Sequence, residues 1–232
     1  MTDKVNTSEE KLATANKLIN NLHLSFDEIN RAEELCQEAS EDSSSEQRAG
    51  ELLFQIKYNL IESGECGSDV QGQYDALQKE IEVFLNKYPN SIEALFWSGV
   101  AQAKFAEKAG AMSALATIQK SLKTFAKAAK LEPMHPFSVL SLSAMAEVYC
   151  ESPFPVKNMR KGKKLSQEAI EKDPNSTFSA LIRGKVHARL DEFSEARKMF
   201  DYCLSIDKPT FPADAHLTDW PDAKICLESL PA

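Results

Sequence analysis

The sequence predicts an all-α fold built from pairs of antiparallel helices, and three observations support that prediction. Glycine, which costs a helix about 1 kcal/mol per position relative to alanine, occurs only 8 times in 232 residues. Apolar residues recur at helical spacing along nearly the whole chain, whereas alternating β-branched runs are scarce. Prolines that end predicted helices stand at positions 89, 133, 174 and 209, at intervals of 44, 41 and 35 residues.

Residues 1–87 predict about four helices. The apolar stripes and helices fall at 12–22, at 29–39, from about 46 and at 74–88, with polar breaks at 41–45 and 63–68. We expect this N-terminal helical region to act as a cap or to form additional degenerate repeats.

The interval that follows Pro174 has the clearest pattern, with Gly184, a turn at 190–193, Ala196 and Phe200 in order. It resembles a tetratricopeptide repeat (TPR) in register. The resemblance implies that Gly184 and Ala196 are the small residues where two paired helices touch. A larger side chain at either position would push the helices apart. His187 stands where the repeat prefers an aromatic residue.

The unit before it, at about 91–133, fits the pattern more loosely. Gly99 takes the contact position, and Phe125 lies near the end of the unit. Between them are about ten residues too many, around 109–119, which suggests a long second helix.

The middle unit, at about 136–174, carries Ser143 at the contact position. Its inter-helix stretch, 151–158, is far longer than an ordinary turn. The last predicted unit is 177–209, and a terminal helix is predicted at about 218–230.

Several of these departures together resemble the bacterial TatT family, the T-component proteins associated with TRAP transporters. The matching features are Ala-Leu-Phe-Trp-Ser-Gly at 94–99, Pro-Phe-Pro-Val at 153–156 before Lys-Gly-Lys-Lys-Leu at 161–165, the repeat at 175–207, and Asp-Trp-Pro at 219–221. The resemblance covers about 88–230. It implies a right-handed TPR-like solenoid, and it suggests a small-molecule or lipid-binding component as an alternative function.

Composition limits the classes of function and location. The net charge of −8 opposes general nucleic-acid binding, and it is uneven, at −10 over residues 1–90 and +2 over 91–232. The odd number of cysteines, 5, predicts reduced thiols. No signal peptide and no stretch approaching 18 apolar residues is visible, so we expect no membrane span. We expect a cytoplasmic protein, or a periplasmic one if an export signal was removed.

The sequence offers no catalytic or cofactor-binding constellation. It lacks GxxxxGK[ST], GxGxxG and HExxH motifs, and the four histidines are far apart. We therefore predict no enzyme, no cofactor and no metal site. His187 is interpreted as a packing residue of its repeat.

A TPR-like register predicts a partner-binding groove along the first helices of the units. The candidate groove residues are Phe96, Lys104, Phe137, Phe178, Lys185 and Arg189. The cations are expected to pair with partner carboxylates, and Phe96 and Phe178 to act as apolar anchors. The alternative is that many of these aromatic residues, and Trp97 with them, belong to the core between repeats.

A second candidate surface is a run of five cations within eight residues: Lys157, Arg160, Lys161, Lys163 and Lys164. They stand where a helix should begin, the unfavourable end for positive charge. This run is a solvated loop and first turn, a docking patch for an acidic partner or for the acidic N-terminal half, or a nucleic-acid or lipid-headgroup site.

We therefore predict a non-catalytic protein–protein interaction scaffold that binds a peptide or helix in a TPR-like groove. The part of the peptide or helix that meets the groove cations is expected to be acidic. A homo-oligomer is an open alternative. The sequence leaves the partner itself unidentified.

Overall fold

A computed structural model describes residues 7–21, 25–63, 69–108 and 111–231. Residues 1–6, Cys66 and most of the predicted break at 63–68 lie outside the described residues. Residues 109 and 110 of the overlong stretch in the first predicted unit lie outside them as well.

The described residues form helices and no strand, which confirms the all-α prediction. Ten long helices of the described ranges precede the C-terminal residues: α1 Ser8–Ile19, α2 Phe26–Ser40, α3 Glu46–Ser63, α4 Val70–Lys87, α5 Ile92–Lys108, α6 Ala111–Leu131, α7 Pro136–Glu151, α8 Met159–Lys172, α9 Thr177–Ala188 and α10 Phe193–Ser205. Within the described residues, none of the helices is long and apolar enough to cross a membrane.

The helices stack as a solenoid. Each odd-numbered helix packs against the helix that follows it, and α3, α5, α7 and α9 also pack on one another in succession. The odd-numbered helices therefore share one face, which we call the inner surface, and the even-numbered helices lie outside it.

Close approaches at glycine fix several of the helix pairs. A Cβ atom on Gly184 would lie 2.4 Å from Phe200, and one on Gly99 would lie 2.6 Å from Phe125. Both predicted contact positions are thus confirmed. The N-terminal region has the same kind of close approach, because a Cβ atom on Gly50 of α3 would lie 2.4 Å from Phe84 of α4.

The two irregular units differ in how they take up their extra residues. In the first, the extra residues lengthen the helices, so that α5 has 17 residues and α6 has 21. In the second, Asn158 closes the long loop by accepting a hydrogen bond from Lys161 N, which caps α8.

The predicted contact residue of the middle unit, Ser143, faces the next unit, where its hydroxyl lies 2.9 Å from that of Ser179. The tight approach between α7 and α8 is instead at Gly162, where a Cβ would lie 2.4 Å from Cys150 Sγ.

The chain ends with a segment that returns across the inner surface. It comprises the helical turn α11 Pro212–Asp214, a π-helical stretch Ala215–Asp219 and the helix α12 Trp220–Ser229, which packs against α10. Ala213 is buried within the apolar cluster formed by α1, α2 and α3. Residues 212–229 therefore contact both ends of the solenoid.

Candidate interaction surface

The inner surface has an aromatic floor that joins three successive odd-numbered helices. The ring of Trp97 on α5 lies 4.8 Å from that of Tyr58 on α3 and 6.0 Å from that of Phe137 on α7, between ring centroids. Phe96 contacts Phe137 at 5.4 Å. Among the described residues, the buried indole Nε1 of Trp97 has no hydrogen-bond partner. Stacked and edge-on rings of this kind hold each unit on the next.

The predicted aromatic residues of the groove belong largely to this floor. Phe96 is 6% exposed and Phe137 is 7% exposed, and both are part of the central core. Phe178 is half-buried and packs against the same core. The burial of Phe96, a predicted anchor, and of Phe137, a predicted groove residue, favours the alternative that these side chains belong to the core between repeats. The same spacing that places a residue on the inner helices also places it between repeats.

The predicted groove cations pair with carboxylates of the preceding unit. Lys104 lies 3.4 Å from Glu62, and Lys185 lies 3.5 Å from Glu147. Lys185 also lies 3.6 Å from Asp222 of α12.

The third groove cation, Arg189, makes two hydrogen bonds to Glu151. Its Nε donates to Glu151 Oε1 at 2.9 Å, and its Nη2 donates to Glu151 Oε2. The pairs at Lys185 and Arg189 each join residues 38 apart, one repeat along the solenoid. A partner carboxylate would have to compete with these intramolecular ones.

The inner surface also holds a segment of the chain itself, residues 209–219, which we call the C-terminal segment. The ring of Phe211 lies 5.3 Å from that of Phe137 in an edge-on contact. The backbone N–H of Thr210 donates to the carbonyl of Asn175 at 3.1 Å, and its hydroxyl donates to Asp173 at 2.7 Å. An aromatic contact and side-chain hydrogen bonds thus fix the segment on the solenoid.

Two carboxylic acids of the C-terminal segment have raised pKa values. Burial raises the pKa of Asp214 to about 6 and that of Asp219 to about 7. Asp219 is 3% exposed and accepts a hydrogen bond from the Thr177 hydroxyl at 2.6 Å, which favours its charged form but does not outweigh burial.

The basic run is divided by the structure. Lys163 pairs with Glu192 of the neighbouring turn, with its Nζ 2.6 Å from Glu192 Oε2. Lys161 lies over the ring of Tyr149, with 4.3 Å between Nζ and the ring centroid. The remaining members, Lys157, Arg160 and Lys164, are exposed, and within the described residues they make no ion pair.

A cavity of about 460 Å³ opens where the C-terminal segment meets the N-terminal helices. Its lining includes Lys17, Arg48, Gln55, Glu93, His135 and Phe211. Arg48 Nη1 donates to Glu93 Oε1 at 2.6 Å, and burial raises the pKa of Glu93. The sequence reasoning missed this site because its walls come from distant parts of the chain. The one available signal was a charged residue, Glu93, within the apolar start of α5.

Most of the remaining candidates for chemistry are buried. His187 is 6% exposed, and its Nδ1 lies 2.5 Å from Glu192 Oε2, consistent with a packing residue. The four described cysteines are free, and burial raises the pKa values of Cys150 to about 11 and of Cys36 and Cys203 to about 12. Within the described residues, no three histidine, cysteine or acidic side chains are grouped to hold a metal ion.

Comparisons with solved structures place the fold among TPR solenoids. A TPR protein from the thermophile Thermus thermophilus superposes with a TM-score of 0.70 at 11% identity, covering 94% of this chain and 100% of that one. MamA from Desulfovibrio magneticus RS-1, residues 41 to the end, superposes with a TM-score of 0.50 at 15% identity, covering 85% of this chain and 95% of that one. No protein-family model matches the sequence, and no curated protein matches it significantly. The chain therefore has a TPR-like helical repeat fold, while the finer resemblance to TatT proteins stays a prediction.

Proposed function

We propose that this protein is a non-catalytic interaction scaffold that binds a peptide or helix of a partner protein on its inner surface. The observation that supports this most directly is the C-terminal segment, because the inner surface already holds a stretch of polypeptide. That stretch is seated through Phe211 on Phe137 and through the hydrogen bond between Asp219 and Thr177.

The charged edge of the inner surface is the proposed recognition element. Arg189 is 57% exposed and Lys185 is 27% exposed, and each faces a carboxylate that is itself at least a third exposed. The Arg189–Glu151 pair is exposed, and pairs of that kind contribute about 0–1 kcal/mol to stability, so exchanging Glu151 for a partner's acidic group costs little. We therefore place an acidic peptide or helix beside Lys185 and Arg189.

The test begins with a partner captured from the native cell and then measures its affinity with purified proteins. Lys185→Glu/Arg189→Glu should weaken the complex at least about tenfold, which corresponds to about 1.4 kcal/mol. Lys123→Glu/Lys130→Glu, which reverses two exposed charges on α6, is the matched control and should leave the affinity unchanged.

A charge swap separates recognition from folding. Glu151→Arg/Arg189→Glu keeps an internal ion pair but reverses the charge at each position, so it should fold normally and still lose the partner. If both the double reversal and the swap bind with wild-type affinity, the site is not at this edge and the placement is wrong.

A second candidate function, a small-molecule or lipid-binding component like the TatT family, is supported by the cavity of about 460 Å³. Its charged lining, including Lys17, Arg48 and Glu93, favours a polar ligand over a purely apolar one. Native mass spectrometry of freshly purified protein tests this function. An added mass that is lost in Arg48→Ala would support it, and a clean apoprotein mass that stays unchanged with a ligand panel would contradict it.

A further inference from the structure

The loop between α7 and α8 presents an aromatic ring to solvent. Phe154 is 90% exposed, more than any other large hydrophobic residue in the described ranges. The N–H groups of Val156 and Lys157 both donate to the carbonyl of Pro153, at 3.1 and 3.2 Å, and the N–H of Asn158 donates to Tyr149 at 2.8 Å. The ring therefore projects from a closed turn that is tied to the end of α7.

Exposed cations follow this ring along the chain. Lys157 lies in the same turn, and Arg160, Lys161 and Lys164 lie on the first turns of α8. Arg160 and Lys164, four residues apart, share a helix face. It lies opposite the side where Gly162, Ser166 and Ala169 are buried.

This placement is costly for the isolated protein. Positive charge at the start of a helix is opposed by the helix dipole. Lys163 is compensated by Glu192, but Lys157, Arg160 and Lys164 make no ion pair within the part of the chain that the structure describes. The whole chain has a net charge of −8, so this cluster is a local exception to the overall charge.

We propose that Phe154 together with Lys157, Arg160, Lys161 and Lys164, the Phe154 patch, binds the surface of an anionic lipid bilayer. An exposed aromatic ring on a projecting turn can enter the interfacial region of a bilayer while nearby cations contact phosphate headgroups. A protein partner would have to supply a pocket for the ring, whereas a lipid interface needs no matching shape. The cavity of about 460 Å³ is not lined by this loop. The proposal is independent of the scaffold function and of the inner surface.

The expected binding is weak, reversible and sensitive to salt. Each cation near an anionic surface contributes about fivefold in affinity, equivalent to about 1 kcal/mol, so neutralising two should cost about 25-fold. Partial burial of the Phe154 ring contributes a factor of similar size to one cation, about fivefold. The cationic part should weaken as salt screens the surface, whereas the contribution of the ring should persist.

The test is sedimentation of the full chain with vesicles of phosphatidylcholine alone or mixed with phosphatidylglycerol. Wild type should bind the mixed vesicles and not the neutral ones. Phe154→Ser should lose about fivefold in partitioning, and Arg160→Gln/Lys164→Gln about 25-fold. Both changes are at exposed positions, and thermal unfolding should confirm that each variant folds like wild type.

Two control variants are matched in chemistry. Met134→Ser removes another exposed apolar side chain, 69% exposed, from the α6–α7 loop. Lys123→Gln/Lys130→Gln removes two exposed cations from α6. Both should bind vesicles like wild type. The proposal is wrong if wild type does not bind the mixed vesicles, or if the controls lose as much binding as the patch variants. It is also wrong if the patch variants lose only an acidic protein partner while vesicle binding is unchanged.

Discussion

Asp219 should make the stability of the protein fall as pH rises from about 4 to about 7, the range between its ordinary pKa of 3.8 and its folded pKa of about 7. Between these values the folded protein holds a proton on Asp219 that the unfolded chain has lost. Because the unfolded state then binds fewer protons, the free energy of unfolding decreases with pH. Above about 7 the carboxyl is ionised in both states, and this contribution becomes constant.

The magnitude follows from the two pKa values. Raising a pKa from 3.8 to about 7 corresponds to about 4 kcal/mol, an upper bound because small movements of the protein relieve part of the burial. Asp219→Asn cannot ionise and keeps an oxygen that accepts from the Thr177 hydroxyl. Allowing about 1 kcal/mol for a less favourable hydrogen bond, the variant should be about 2–3 kcal/mol more stable than wild type at pH 8. Near pH 4 it should be equally stable or slightly less stable.

Urea unfolding followed by circular dichroism across this pH range measures the difference directly. Asp222→Asn is a suitable control, because Asp222 is three residues away and 51% exposed. Its difference from wild type should stay small at every pH. A constant offset between Asp219→Asn and wild type from pH 4 to 8 would refute the reasoning, because it would mean that Asp219 is not protonated in the folded state.

Three further predictions concern packing, capping and accessibility. Gly184→Ala should destabilise the protein by about 1–2 kcal/mol, since its Cβ would lie 2.4 Å from Phe200 and overpacking outweighs the helix propensity gained. Phe200→Leu should recover part of this loss in a double-mutant cycle measured by urea unfolding. Strictly additive effects of the two substitutions would contradict the prediction. Asn158→Ala should cost about 1 kcal/mol by removing the N-cap of α8, and an unchanged thermal midpoint would exclude that role. Of the four described cysteines, Cys226 is the least buried and should react first with a thiol reagent in the native state, whereas earlier labelling of Cys203 in peptide mapping would show that the core opens.

The repeat fold was predictable because its signals are local. Gly184 and Phe200 are 16 residues apart, within one helix pair, and Pro209 follows at the expected end. The same contact between Gly50 and Phe84 spans 34 residues and was missed. Because α3, α4 and the connection between them are longer, the two residues are farther apart in sequence than the repeat pattern places them.

The surface was less predictable because its partners are distant in sequence. The sequence placed Lys185 and Arg189 on the first helix of their unit, and in the structure Lys185 lies on α9 and Arg189 caps its C-terminal end. Glu147 and Glu151 meet them only through the stacking of α9 on α7. Exposure is equally a property of stacking, which is why Phe96 could not be told from a surface anchor. The return of the C-terminal segment to the N-terminal helices has no local signal.

Partner binding at the inner surface would be a competition between two sets of contacts. The C-terminal segment holds Phe211 against Phe137, and Asp222 lies beside Lys185. A partner that uses the same ring and the same cation must therefore displace Phe211 and Asp222. Its apparent affinity is its intrinsic affinity multiplied by the fraction of molecules in which the segment is undocked.

Protonated Asp219 favours the docked segment, because burial penalises the charged carboxylate. If the partner and the segment share this surface, partner affinity should increase as pH rises from about 4 to about 7 and stay constant above that. The part of the increase above about pH 5 lies beyond the range in which the partner's own exposed carboxylates titrate. Asp219→Asn should abolish that increase in a binding titration, and an increase that persists in the variant would show that the segment and the partner do not compete.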